Sequence, residues 1–247
     1  MSHLLKVLLL MIFIAPRFVL SAQDRAETTP GGFTLAPVSH IYSPYLADQL
    51  RVTFGIQALQ MQDSTIPQAG ASRFALRMGG RLELFNWTDQ DNAQKQLQAN
   101  LEVGFRGHFD LEHSQDNIGW DGNYGLLFSY RQSKSWAYRF GVYHNSSHIG
   151  DEYAEGTGRQ RINYTREELL LGTQYNFNPS WQAYLELGHA RNQSGKPLQQ
   201  QGRIQTGLQY QADSSKPSSG WYAGLDLSAY EENDWDMNRA FQTGYAF

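Results

Sequence analysis

Along most of the chain, apolar and polar residues alternate with a period of two. The clearest run covers residues 97–110. Leu97, Ala99, Leu101, Val103, Phe105, Gly107 and Phe109 fall on one side, and Gln98, Asn100, Glu102, Gly104, Arg106, His108 and Asp110 on the other. Period two is the signature of an extended strand, whose successive side chains point to opposite faces. The run exceeds the roughly five or six residues of a usual soluble strand. It is long enough to cross a bilayer at a tilt, which takes about 9–11 residues.

The alternation recurs. In residues 73–85, Phe74, Leu76, Met78, Leu82 and Leu84 oppose Arg73, Arg77, Arg81 and Glu83. Later apolar stripes run through Tyr124-Leu126-Phe128-Tyr130, Trp136-Tyr138-Phe140-Val142, Leu169-Leu171-Thr173-Tyr175, Trp181-Ala183-Leu185-Leu187, Ile204-Thr206-Leu208-Tyr210 and Trp221-Ala223-Leu225-Leu227, taking every second residue. Residues 50–58 and 241–247 complete the set. Short connections such as Gln132-Ser133-Lys134 and Asn178-Pro179-Ser180 alternate with longer ones at 60–71, 148–160 and 192–201. The pattern predicts an all-β fold, an antiparallel up-and-down transmembrane β-barrel of about ten strands, with short periplasmic turns and long surface loops.

The N-terminus supports an exported protein. Lys6 precedes an apolar run at 7–14, and small residues at Ser21 and Ala22 follow. This is the layout of a cleaved signal peptide. The run is too short for a spanning helix, which needs roughly 20 residues. The expected organisation is a signal peptide at 1–22, a periplasmic segment at 23–48 and a barrel at 49–247, located in the bacterial outer membrane. The chain has no Cys, which excludes disulfides and zinc–thiolate sites. Its formal net charge of −4 gives no basic surface for nucleic acid.

Two aromatic features sharpen the membrane reading. Trp136, Trp181 and Trp221 open three strands at the expected periplasmic end, and Tyr130, Tyr175 and Tyr210 close others at the same level. Amphipathic rings favour the membrane interface, so outer-membrane lipid is the expected neighbour. The chain ends at Phe247, with Tyr245 and Phe241 on the same face. This resembles the C-terminal aromatic signature read by the barrel-insertion machinery, which is the expected partner. On the opposite faces, Arg73, Arg77, Arg81 and Arg106 meet Glu83 and Glu102, with Arg131, Arg139, Arg166 and Arg203 against Glu168, Glu186 and Asp226. A barrel this narrow is filled by side chains, so these form an internal ion-pair network. A narrow, anion-preferring channel is the functional alternative.

The densest polar constellation carries the candidate chemistry. It comprises His144, Ser146, Ser147, His148, Gly150, Asp151 and Glu152, followed by Arg161, Asn163, Arg166 and Glu167. Parity puts His144 and Ser146 on one strand face and Asn163 and Glu167 on the same face of the next. A hairpin centred near Tyr153 would set His144 opposite Asn163. His144 as base, Ser146 as nucleophile and Asn163 as orienter would follow triad logic, with Glu167 as a second candidate orienter. The plain structural alternative is a loop that folds on itself through Asp151, Arg161 and Arg166.

The His-x-Ser pair and the Asn resemble outer-membrane phospholipase A, and the pair alone resembles lipid A deacylases. Ser146 is followed by Ser147-His148, where the phospholipase has Asn-Gly. The resemblance implies a serine-type lipid acyl hydrolase, and calcium only for the phospholipase; no other cofactor is expected. A broader resemblance rests on Leu46-Ala47-Asp48, Gly79-Gly80-Arg81, the stretch from His144 to Glu152, and that from Arg161 to Glu167. These look like the bacterial domain of unknown function 1207 family. That resemblance implies a barrel protein without an established activity. It also implies twelve strands if this chain is a shortened form.

Overall fold

The computed structural model describes residues 31–62, 66, 68–113, 117–161, 163–194, 200–212 and 220–246. The expected signal peptide and Phe247 lie outside the described residues. The described chain forms one antiparallel sheet of eleven strands. They are β1 (Phe33–Leu35), β2 (Gly55–Gln60), β3 (Ser72–Thr88), β4 (Gln96–Asp110), β5 (Asn117–Arg131), β6 (Trp136–Ile149), β7 (Tyr164–Asn176), β8 (Trp181–Ser194), β9 (Gly202–Gln211), β10 (Gly220–Tyr230) and β11 (Met237–Ala246). A short helix, α1 (Asp151–Thr157), lies between β6 and β7. From β3 to β11 each strand pairs with the next, so the topology is up-and-down. The sheet curls, but among the described residues its two edges are not paired with each other. No described helix is long and apolar enough to cross a membrane.

The two faces have inverted polarity. Outside, Leu82, Val103, Phe140, Val142 and Leu171 each leave more than half of their surface exposed. Inside, the buried residues are Gln98, Asn100, Gln174, Arg166, Glu168, Glu186 and Arg203. The alternation of each strand therefore places its apolar stripe outward. Buried polar groups must find partners or pay their desolvation cost, and here they meet one another.

At one end, Trp136, Trp181 and Trp221 face outward and pair across strands with Tyr175, Tyr210 and Tyr245. Their ring centroids lie 4.7, 5.1 and 5.3 Å apart. The expected aromatic row is thus a series of cross-strand Trp–Tyr pairs, each worth roughly 0.2–1 kcal/mol relative to alanine.

The structure departs from the sequence reading at three places. β3 runs on to Thr88 because a bulge at Leu84 adds one residue opposite β4. The extra residue flips the alternation, so Asn86 and Thr88 turn inward with Arg77 and Glu83. The strand expected at 50–58 is the six-residue β2, which begins at Gly55 rather than Leu50. Finally, β1 and β2 both pair with the same edge of β3, at its opposite ends.

Candidate functional site

Residues 36–54, here called the strap, leave the β3 edge after β1 and return to it at β2. Ala36 turns the chain away with φ 45°. Between the two short ladders, residues 78–83 of β3 have no strand beside them among the described residues. The strap crosses the concave face instead. Beyond Ala36, whose N–H donates to the Leu84 carbonyl of β3 at 3.1 Å, its backbone is not in a strand ladder with any described residue, and wall side chains supply bonds to it. Gln98 on β4 accepts from Ile41 N–H at 3.2 Å and donates to the Ser39 carbonyl at 2.7 Å. Gln174 on β7 does the same for Ser43, at 2.9 and 2.6 Å. Gln209 on β9 accepts from Leu46 N–H at 3.0 Å and donates to the Pro44 carbonyl at 3.3 Å. A glutamine amide carries both a donor and an acceptor, so each one stands in for a strand edge. Arg81, Arg106 and Asn123 donate to the carbonyls of Tyr42, Gln49 and Leu50.

Two tyrosines anchor the strap. The Tyr45 ring stacks on Tyr184 with centroids 3.7 Å apart, and its hydroxyl donates to Glu186 at 3.1 Å. The Tyr42 and Tyr45 hydroxyls are 2.7 Å apart, and the Arg139 guanidinium lies 4.8 and 4.7 Å from their ring centroids. Arg139 pairs with Glu186, Glu186 with Arg203 at 2.7 Å, and Arg203 with Glu168 at 2.8 Å. Glu168 meets Arg166 at 3.1 Å. This chain of alternating charge crosses the interior as a continuous network. The second expected group is also joined: Arg81 contacts Glu83 and Glu102 at 3.3 and 3.2 Å, and His40 pairs with Glu83. Arg73 donates to the Gly70 carbonyl, and Arg106 pairs with Asp121 at 2.8 Å. Beside the strap lies a cavity of about 1330 Å³, reaching from the free edge of β3 to β11. Asp48, Arg51, Tyr143, Tyr222 and Asp226 line it.

The His144 constellation assembles differently from the triad expectation. β6 and β7 register as Ser147 opposite Tyr164 and His144 opposite Glu167. His144 therefore faces Glu167, with Nδ1 3.5 Å from a carboxylate oxygen, and stacks on Tyr124 at 4.5 Å. Asn163 instead meets His148 at 2.9 Å, and His148 stacks on Trp120. The connection carries α1 and a left-handed cap at Gly158, so its centre lies beyond Tyr153. That shift moves Asn163 away from His144. Ser146 donates to the Gly122 carbonyl at 3.3 Å, and no hydrogen bond joins it to His144. Residues two apart on a strand are roughly 6.5 Å apart along the chain, whereas a base must reach its nucleophile within about 3 Å. The structure brings His144 and Glu167 together, but not the three residues of the triad.

The other motif residues tie down this end of the sheet. Ser147 donates to Asp121 at 2.6 Å. Asn117 N–H donates to Glu152 at 3.3 Å, and Asp151 pairs with Arg161. At Gly150 a Cβ would overlap the Asn117 carbonyl, so only glycine lets the two backbones pass. Arg166 donates to the Gln201 carbonyl at 2.7 Å, lies 3.7 Å from Glu232 and sits over the Tyr230 ring. Glu232 also accepts from Tyr164 and Gln193, both at 2.6 Å. Among the described residues, no three or more His, Asp or Glu side chains are grouped so as to hold a metal ion.

A curled up-and-down antiparallel sheet, apolar outside and polar inside, defines a protein of the β-barrel type. The chain belongs to the family described as protein of unknown function (DUF1207), whose model matches residues 22–247. No curated protein matches it. A solved structure, titled as the toluene transporter TodX of P. putida, is similar at 11% identity, covering 70% of this chain and 63% of that one, with a TM-score of 0.29. The chain thus spans less than two thirds of that transporter's chain. The resemblance to outer-membrane phospholipase A finds no support in these comparisons.

Proposed function

We propose that the protein is an integral barrel of the bacterial outer membrane that is closed by its own strap, with the cavity beside the strap serving as a chamber for a small polar solute. The observation that carries this reading is the inverted polarity: an apolar exterior over a charged, hydrogen-bonded interior. Such a surface is costly in water and favourable in lipid. The aromatic row at one end adds an interface anchor. The cavity is larger than the roughly 300–1,000 Å³ of ordinary ligand pockets, and both charges and hydroxyls line it. Passage through the barrel requires the strap to shift, because its anchors span the interior from β4 to β9.

The test is electrical. Purified protein inserted into planar bilayers is expected to be silent. The Tyr42→Ala/Tyr45→Ala double variant, which frees the strap, is expected to show conductance steps. Large steady steps in wild type, or silence in the double variant despite a folded, heat-modifiable barrel, would refute a strap-closed barrel. Wild type that stays soluble without detergent would refute membrane insertion itself.

A further inference from the structure

We infer that the interior holds a buried monatomic anion of the halide class, bound between Arg77, Arg106 and Arg51, which fastens the strap to the wall. Arg77 and Arg106 are directly opposed on β3 and β4, both facing inward. Like charges in that position repel. Arg106 has an answer to its charge: it pairs with Asp121 and reaches the Gln49 carbonyl at 2.9 Å. Asp121 is already engaged, accepting from Ser147 as well. Arg77 has no such answer. It is 7% exposed, makes no ion pair with any described residue, and its buried Nε has no acceptor. A buried, unpaired guanidinium is among the least favourable arrangements a fold can keep.

The space around it resolves the imbalance. A small chamber of about 20 Å³ is lined by both arginines and by the strap at Gln49–Thr53, including Arg51. No ion pair or side-chain hydrogen bond of Arg51 to a described residue accompanies that position. A water-sized occupant needs roughly 10–15 Å³. The chamber therefore admits one small ion and is too small for a carboxylate- or phosphate-bearing molecule. Three arginines line it, against Asp121 in its wall and Asp48 nearby on the strap, each of which already accepts a hydrogen bond. A chloride ion would accept from Arg77 Nε, separate the opposed arginines and link them to Arg51 of the strap. The strap residues 49–53, Arg51 among them, border both this chamber and the large cavity, while Arg77, Arg106 and Asp121 line the chamber alone, and the site does not depend on whether the barrel conducts.

The test uses the full-length protein folded in detergent. Thermal unfolding is followed in sodium gluconate, fluoride, chloride and bromide at constant ionic strength. Chloride and bromide are expected to raise the midpoint by several degrees over gluconate, with saturation. Arg77→Met is expected to abolish that dependence. Should Arg77→Met fail to fold, Arg51→Gln replaces it, with the halide response expected to weaken. Crystals grown in bromide are expected to show an anomalous peak between the arginines. Equal midpoints in chloride and gluconate, an undiminished response in the variant that folds, or a chamber holding only water would overturn the site.

Discussion

Arg166 is the residue whose loss should be felt most widely. It is 1% exposed and contacts Glu168, the Gln201 carbonyl, Glu232 and the Tyr230 ring. Arg166→Ala leaves two buried carboxylates short of a cation, which costs about 3–5 kcal/mol where one partner of a buried pair is removed. We expect a lower unfolding midpoint, with faster hydrogen exchange at Arg203 and Glu231–Asn233. Tyr45 offers a graded comparison. Tyr45→Phe keeps the stack on Tyr184 and loses the hydroxyl's bonds to Glu186 and Tyr42, at about 1 kcal/mol each. Tyr45→Ala loses the stack as well, at about 3–5 kcal/mol, the range for large aromatic truncations. Ser146→Ala tests the hydrolase alternative, and its geometry predicts no change: wild type and variant should release equally little fatty acid from phospholipid or lipid A. Residue by residue, the sequence told which side chains face inward, because alternation encodes that directly. Of the six residues expected to form one lumen network, Arg81, Glu83 and Glu102 pair with one another, whereas Arg106 pairs with Asp121, Arg73 donates to the Gly70 carbonyl, and Arg77 makes no ion pair with a described residue. It did not tell who meets whom across the β6–β7 connection. That pairing depends on α1 and Gly158, which absorb chain length without leaving a period-two trace, so a hairpin centred near Tyr153 sets His144 opposite Asn163, whereas it faces Glu167, the second candidate orienter.

Among the elements, β3 shows how one residue can redirect a strand. Its alternation reads cleanly as far as Glu83, then the bulge at Leu84 reverses it. Deleting Leu84 would remove the bulge and run Glu83 directly into Phe85, leaving Asn86 and Thr88 inward and Phe85 and Trp87 outward, opposite the same β4 residues. We expect folded, heat-modifiable protein to persist on gels, because no residue beyond the deletion exchanges faces; a sharp loss would show that the bulge itself is required. The long strands were legible because each carries its own periodic evidence. The strap was not, and residues 23–48 read as a plain periplasmic segment ahead of the barrel. Its bonds run to Gln98, Gln174 and Gln209, and the Ser43–Gln174 bonds span 131 residues of sequence. No local pattern reports such partners. Three glutamines on inward faces are ordinary polar residues until a backbone is seen lying across them.

For the molecule as a whole, the inverted polarity and the aromatic row make one joint prediction. Trp136, Trp181 and Trp221 face outward at the same end of the sheet, 40%, 41% and 63% exposed. In liposomes, their fluorescence should be quenched most strongly by lipids labelled near the headgroup, and least by lipids labelled at the chain terminus. Uniform quenching, or none, would contradict an interfacial row. The fold class, the alternation of connection lengths and the placement of this row were all readable from the sequence, since they follow from composition at fixed positions. Sheet closure was not: the pattern predicts a closed barrel, and among the described residues the two edges of the sheet are not paired with each other. The split edge of β3 has a mechanical consequence. Because β1 and β2 grip the same strand at opposite ends, the strap is a loop tethered twice, like a bow string rather than a cork. It cannot be drawn out end-first. It can only bow away from Gln98, Gln174 and Gln209 and fall back, and its two tethers keep it at a high effective concentration beside them. Any opening is therefore brief and self-reversing, with its reset built into the covalent chain.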